Sequence, residues 1–323
     1  MAVFPSASDR RSFLGGALGL AALPWLGACR REGGTGLVLG DQVHLAETRM
    51  KAAGQLEQVP YRISWANFAG AAPLLEALNA GAVDTAPAGD IPVILAAAAG
   101  CRLKIAAVTQ GSARSMAIVV PRGSPIRTVA DLAGKSVIVS SARGSISHYL
   151  LLEALAEAHV PTSAVRIGFM LPNEAASAFA TGQINAWATF GTYQARAEAE
   201  GARILRDGQG IGPGYSTIAV SEAALADPAK RAAISDYLQR ARKASRWCRE
   251  NPEAYAALYA RQTGMDPKLA QVVVARERPG LVAPSAAFIA ALQRAADRFY
   301  QPYGVLPRRV DVAALVEPGL LKA

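Results

Sequence analysis

The stretch from Ser140 to Leu152, S-S-A-R-G-S-I-S-H-Y-L-L-L, gathers serine hydroxyls, an imidazole and a glycine at the mouth of a helical pattern. Val137-Ile138-Val139 before it reads as a buried β-branched strand, and Ile146, Leu150, Leu151 and Leu155 recur at helical spacing. A strand that ends in small residues and turns straight into a helix leaves the first N–H groups of that helix without partners. The helix dipole adds partial positive charge at the same place, so the chemistry on offer is capture of an anion. Gly144 permits close approach, Ser145 and Ser147 either cap the helix or donate to the guest, and His148 is a further donor. An ordinary serine cap, with His148 serving a local carbonyl, accounts for the same residues. Nucleophilic Ser-His chemistry is disfavoured, because adjacent residues at a helix start point in different directions. Neither the Gly-rich Lys-Ser/Thr loop nor the three-glycine dinucleotide pattern is present.

The elements that would position this turn begin only after a leader. Ser8-Asp9-Arg10-Arg11-Ser12-Phe13-Leu14 followed by the apolar run Leu14 to Leu26 reads as a twin-arginine export signal over residues 1–28. Leu26-Gly27-Ala28-Cys29 has the form of a lipoprotein cleavage box, although cleavage by the ordinary signal peptidase with Cys29 incidental fits as well. The expected location is periplasmic. The chain has 323 residues, enough beyond the leader for two domains or one large one. Its formal net charge is +9, of which Arg10 and Arg11 against Asp9 contribute +1. The remaining basic residues are spread along the chain without interleaved aromatics, which suits small anions and argues against nucleic acid. Cys101 and Cys248 are far apart in apolar contexts and read as core thiols. His44, His148 and His159 show no paired spacing, so neither a metal nor another cofactor is expected.

Strand-like and helix-like pieces alternate along the chain, as in an α/β protein with mainly parallel sheets. Leu37 to Leu39 is a first strand with Gly40-Asp41-Gln42 as its turn, and Val83 to Ala86 is a short strand with Ala88-Gly89-Asp90 as its turn. An internal echo appears at an offset of 101 residues: Leu78 to Asp84 matches Phe179 to Asn185, and Gly100-Cys101-Arg102-Leu103 matches Gly201-Ala202-Arg203-Ile204. Two such matches in register imply two related lobes. The same offset sets Ala88-Gly89-Asp90 opposite Thr189-Phe190-Gly191, where ligands gather beyond the carboxyl ends of strands. Ser115 to Val120 and Tyr215 to Val220 read as the two crossings between the lobes, and the chain beyond Ser221 as helices.

Taken together the chain resembles the periplasmic substrate-binding proteins of ABC importers, in their aliphatic sulfonate, taurine and nitrate branch. The likeness rests on Pro73 to Asp84 with Gly89-Asp90, Ser124-Pro125-Ile126 with Asp131 to Lys135, Gly144-Ser145 with Ser147-His148, and Asn185 to Ala188. It implies a type II periplasmic-binding-protein fold with two hinge crossings, lobe 1 being residues 36–114 and 217–323 and lobe 2 residues 115–216. It also implies a monomer that hands a small anion to a membrane permease with its ATPase. The ligand-binding residues it implies are Asp41, Gln42, Phe68, Gly70, Gly89 and Asp90 in lobe 1, with Gly144, Ser145, Ser147, His148, Phe190 and Tyr193 in lobe 2. Relatives commonly carry Trp-Asp-Pro and an aromatic residue where Phe190-Gly191-Thr192-Tyr193 stands here, so an acidic group is missing from that wall. An amine-bearing ligand then has only Asp41 or Asp90 to meet it, and Tyr193 either lines the cleft or packs in the core. A desulfinase-like enzyme on the same scaffold and an exported sensor partner are the competing readings.

Overall fold

β-branched strands alternating with alanine-rich helices build two sheets. The computed structural model describes residues 34–111, 113–211, 214–277 and 280–321; the twin-arginine segment, the apolar run after it and Cys29 lie outside them. The chain begins with β1 (Gly36–Gln42), α1 (Leu45–Ala52), β2 (Arg62–Phe68), α2 (Ala71–Asn79), β3 (Thr85–Gly89), α3 (Asp90–Ala98) and β4 (Leu103–Gln110). It continues with β5 (Met116–Val120), β6 (Ser136–Ser140), α4 (Ile146–Glu157), β7 (Arg166–Met170), α5 (Pro172–Ala180), β8 (Trp187–Phe190), α6 (Gly191–Ala199) and β9 (Arg203–Asp207). The last part is β10 (Tyr215–Ser221), α7 (Glu222–Ala226), α8 (Pro228–Glu250), α9 (Pro252–Thr263), α10 (Pro267–Glu277), β11 (Leu281–Val282), α11 (Ala286–Tyr300) and α12 (Val312–Leu315).

The strand order is β11-β4-β10-β3-β1-β2 in a six-stranded sheet and β7-β6-β8-β5-β9 in a five-stranded one. Both are mixed rather than mainly parallel. The helix-linked strands β1, β2 and β3 pair in parallel, as do β6, β7 and β8. The strands that carry the chain into each sheet run against them: β5 is antiparallel to β8 and β9, and β10 to β3 and β4. The two crossings touch. Gly111 N donates to Gly214 O at 2.9 Å, and Gly208 N donates to Ala113 O at 3.1 Å and Met116 O at 3.0 Å. A Cβ on Gly208 would lie 2.6 Å from the Ala113 carbonyl, so only glycine lets the crossings lie this close.

The echo is structural. Gly81 and Gly182 have φ of 73° and 76°, Gly100 and Gly201 of 100° and 94°, and α3 starts at Asp90 where α6 starts at Gly191. Each left-handed glycine ends a helix whose next carbonyl partners would otherwise be lost. One expectation is corrected: Gly40-Asp41-Gln42 is strand, paired in register with Ala66, Asn67 and Phe68. The turn falls on Val43 and His44, with φ of 49° and 57°. Ala88 and Gly89 likewise belong to β3, because β10 pairs with them through Thr217 and Ser216.

Tyr149 and Leu152 of α4 share one core with α3 and α11, while Leu150, Leu151 and Leu155 pack onto the second sheet. α4 is therefore clamped between the second sheet and helices of the first.

Candidate functional site

The parallel strands of both sheets end in turns that open helices, and each helix leaves N-terminal N–H groups to be satisfied. In the first sheet, two of the three are closed by the chain itself. Asp41, 2% exposed, accepts Ala46 N at 3.0 Å and Glu47 N at 2.9 Å, and also Gln42 N at 2.7 Å. Its carboxylate fills the anion place of α1. Asp90, 0% exposed, does the same for α3 through Ile91 N at 2.8 Å, and its second oxygen accepts Tyr215 N at 3.0 Å. Burial pushes the Asp90 carboxyl up to about 6, against these N–H bonds, which pull it down. α2 stays open: Gly70 precedes it without a side-chain cap, and the N–H groups of Ala71 and Ala72 have no partner among the described residues. Gln42 Nε2 donates to Pro87 O at 2.8 Å, bridging β1 and β3, and Phe68 is half-buried against the first core.

The second sheet is less closed. Ser145 caps α4: its Oγ accepts His148 N at 3.3 Å and donates to Ser140 O at 3.0 Å. Gly144, φ 84°, sits where a Cβ would be 2.6 Å from Leu95 Cδ2 of α3, and its N–H donates to His148 Nδ1 at 3.1 Å. The imidazole proton is thereby held on Nε2. Burial, with the nearby Arg143 charge, lowers His148 to about 4, so the ring is neutral at pH 7. It rests edge-on to Phe169, ring centroids 5.1 Å apart, and against Phe299 of α11 at 6.0 Å.

What α4 leaves over are the N–H groups of Ile146 and Ser147, which have no partner among the described residues. The Ser147 hydroxyl is also unpartnered, on a residue 0% exposed. An unmet buried hydroxyl is costly, and a guest that supplies its partner recovers that cost. α6 is open too: no side chain caps it, and the N–H groups of Gly191, Thr192 and Tyr193 are unpartnered among the described residues. Phe190 and Tyr193 stand edge to face beside this end, centroids 6.5 Å apart, with Tyr193 also packed on the core under α6.

Of the twelve residues expected at the ligand, then, Asp41, Asp90 and Ser145 spend their polar atoms on backbone, and His148 spends Nδ1. Sequence reasoning missed the layer beneath: Trp187 Nε1 donates to Ser140 Oγ at 2.9 Å, and Ser140 Oγ meets Thr189 Oγ1 at 3.2 Å. Gly191, which the offset of the echo sets opposite Asp90, was not among the ligand-binding residues expected from the sequence, although α6 opens on it. Arg143 is exposed and donates from Nη2 to Gly304 O at 3.0 Å. Elements of the two sheets meet again where Glu153 pairs with Arg298, and where Arg276 holds Glu198 through two bonds of 2.8 and 3.0 Å. Among the described residues no group of three His, Cys, Asp or Glu could hold a metal ion, and no helix is long and apolar enough to cross a membrane.

A family model described as NMT1/THI5 like matches residues 68–255. An aliphatic sulfonates-binding protein of Escherichia coli (strain K12) is 33% identical over 285 residues, covering 87% of this chain and 85% of its own. The crystal structure of the periplasmic aliphatic sulphonate binding protein SsuA from Escherichia coli superposes with a TM-score of 0.80 at 30% identity, over 89% of this chain and 94% of that one. The alkanesulfonate-binding protein SsuA from Xanthomonas axonopodis pv. citri, bound to MOPS, also gives 0.80 at 30% identity, over 88% and 99%. A mutant of the desulfurization enzyme DSZB shares the fold at 18% identity, with a TM-score of 0.66.

Proposed function

The chain belongs to the NMT1/THI5-like family, and from that premise we propose an exported, non-catalytic binding protein that captures an organosulfonate or similar small oxyanion and delivers it to an ABC permease with its ATPase. The two lobes are residues 36–114 with 217–323, and residues 115–216, hinged at the touching crossings. The leader directs export by the twin-arginine route to the periplasm, with lipidation at Cys29, and the protein works as a monomer.

The observation that carries the ligand class is the contrast between helix starts. α1 and α3 hold their own carboxylates, whereas α4 and α6 keep N–H groups without a partner among the described residues, and α4 adds the orphaned Ser147 hydroxyl. Three sulfonate oxygens are acceptors only, so they suit a site made of donors. Asp41 and Asp90 are already engaged, which removes the two partners an amine-bearing ligand would need. The tail is therefore uncharged or aromatic and lies toward Phe190 and Tyr193.

Nothing here supports acid–base or nucleophilic work. The Ser145 hydroxyl donates to a carbonyl rather than to His148, and the His148 nitrogen that could act as base already accepts Gly144 N–H. Cys101 lies in the connection between α3 and β4 and Cys248 on α8, and burial raises both thiols, Cys248 to about 11.

Ser147→Ala tests the site. Removing an unsatisfied buried hydroxyl leaves the melting temperature unchanged or raised. Loss of a hydrogen bond to a charged group, about 1.5–3 kcal/mol, weakens ethanesulfonate binding by roughly 10- to 100-fold. Unchanged affinity in calorimetry would remove α4 from the site.

A further inference from the structure

The face of the second sheet beside α5 carries its own concavity, running along β6 and β7 from their starts to Met170. The starts of β6 and β7 at Ser136 and Arg166 lie side by side there, and with α5 they enclose an open cavity of about 390 Å³. That volume is in the range of small-ligand pockets. Its floor is apolar: Ile126, Ile138, Met170 and Ile184, with Ala178 of α5 as one wall. Its rim is cationic. Lys135 and Arg166 are both exposed and neither pairs with a carboxylate among the described residues, while the lining holds no acidic group. Arg166 is held in place by its Nε, which donates to Ser136 Oγ at 3.1 Å, leaving its two terminal nitrogens for a guest. The nearest carboxylate in sequence, Asp131, is committed to the N–H groups of Arg127 and Thr128 at 2.8 and 2.9 Å. A third cation, Arg203, backs the same wall through its bond to Ile126 O at 2.6 Å.

The geometry points to a second ligand site in this groove, for a single-chain amphiphile with an anionic head: a medium-chain alkanesulfonate or alkylcarboxylate. An apolar floor a few side chains long takes the alkyl tail by burial, and two unpaired cations take the head. A short oxyanion has nothing to bury on that floor and stays in the cleft between the lobes.

The test counts ligands. Octanesulfonate, below its micelle-forming concentration, is titrated into the purified protein and into two variants, Lys135→Glu/Arg166→Glu and Ala178→Trp. The first repels the head and the second fills the groove without changing charge; the reversed residues are exposed, so folding is retained. Wild type binds one more octanesulfonate per chain than either variant, whereas ethanesulfonate binds all three alike. Equal octanesulfonate counts in the three proteins overturn the proposal. Because ethanesulfonate reports the cleft alone, a failed cleft and a failed groove give different results. Repeating the titration with octanoate separates the two head groups, and loss of the extra molecule in the variants with either one upholds the site.

Discussion

The Asp90 carboxylate accepts the backbone N–H of Tyr215 at 3.0 Å, across 125 residues of sequence. One oxygen closes the start of α3 and the other fixes the first residue of β10, where the chain returns to the first sheet. A single buried carboxyl thus removes an anion site and pins one of the two crossings.

That burial has a pH signature. Asp90 lies at about 6, above its ordinary 3.8, so its share of stability is present below pH 3.8 and is lost as pH rises through 6. His148 lies at about 4, below its ordinary 6.5, so its share is present above pH 6.5 and is lost as pH falls through 4. Each displacement is worth about 3 kcal/mol, and the two oppose each other over the same window. Thermal melts of the wild type and two variants between pH 4 and 6.5 separate the two groups. Asp90→Asn should lose stability on acidification, and His148→Gln should gain it; parallel profiles in all three proteins would contradict this assignment.

At the position of the echo that matches Asp90, Gly191→Asp should close α6 as Asp90 closes α3. The backbone there is left-handed, φ 56°, so Gly191→Asn serves as the control with the same strain and no charge. Both should melt at similar temperatures, with ethanesulfonate affinity at least tenfold lower in the Asp variant than in the Asn variant. Equal affinities would place the anion away from α6.

The two-lobe clamp predicts a smaller radius of gyration in small-angle scattering with saturating sulfonate than without. Glu198→Gln should enlarge the unliganded radius by releasing Arg276 of α10 from α6. A radius indifferent to both ligand and substitution would count against hinged closure.

Export is tested in cells. Arg10→Lys with Arg11→Lys should hold the precursor in the cytoplasm, because a receptor reads the paired arginines. Cys29→Ser should release mature protein from membranes, and a wild-type protein that is already free of membranes rules out the lipid anchor.

Local pattern alone determined much of this protein. Glycines at 81, 100, 182 and 201 mark helix ends whatever surrounds them, because only a left-handed residue turns the chain there, so the duplicated plan and the α/β class were legible from spacing. The serine-rich start of α4 was legible for the same reason, since a cap is made within one turn. Tertiary structure decided the rest. Whether Asp41 faces a ligand or its own helix depends on β1 running on through Gln42, and that extension comes from pairing with β2, which no window around Asp41 contains. The partner of Asp90 lies on a strand that enters the sheet from the other crossing. Ser147 looks like any helix-start serine, and only the packing of α4 between the second sheet and the α3–α11 layer leaves its hydroxyl buried and unmet. A side chain's type sets which bonds it can make, but long-range packing sets which partners reach it.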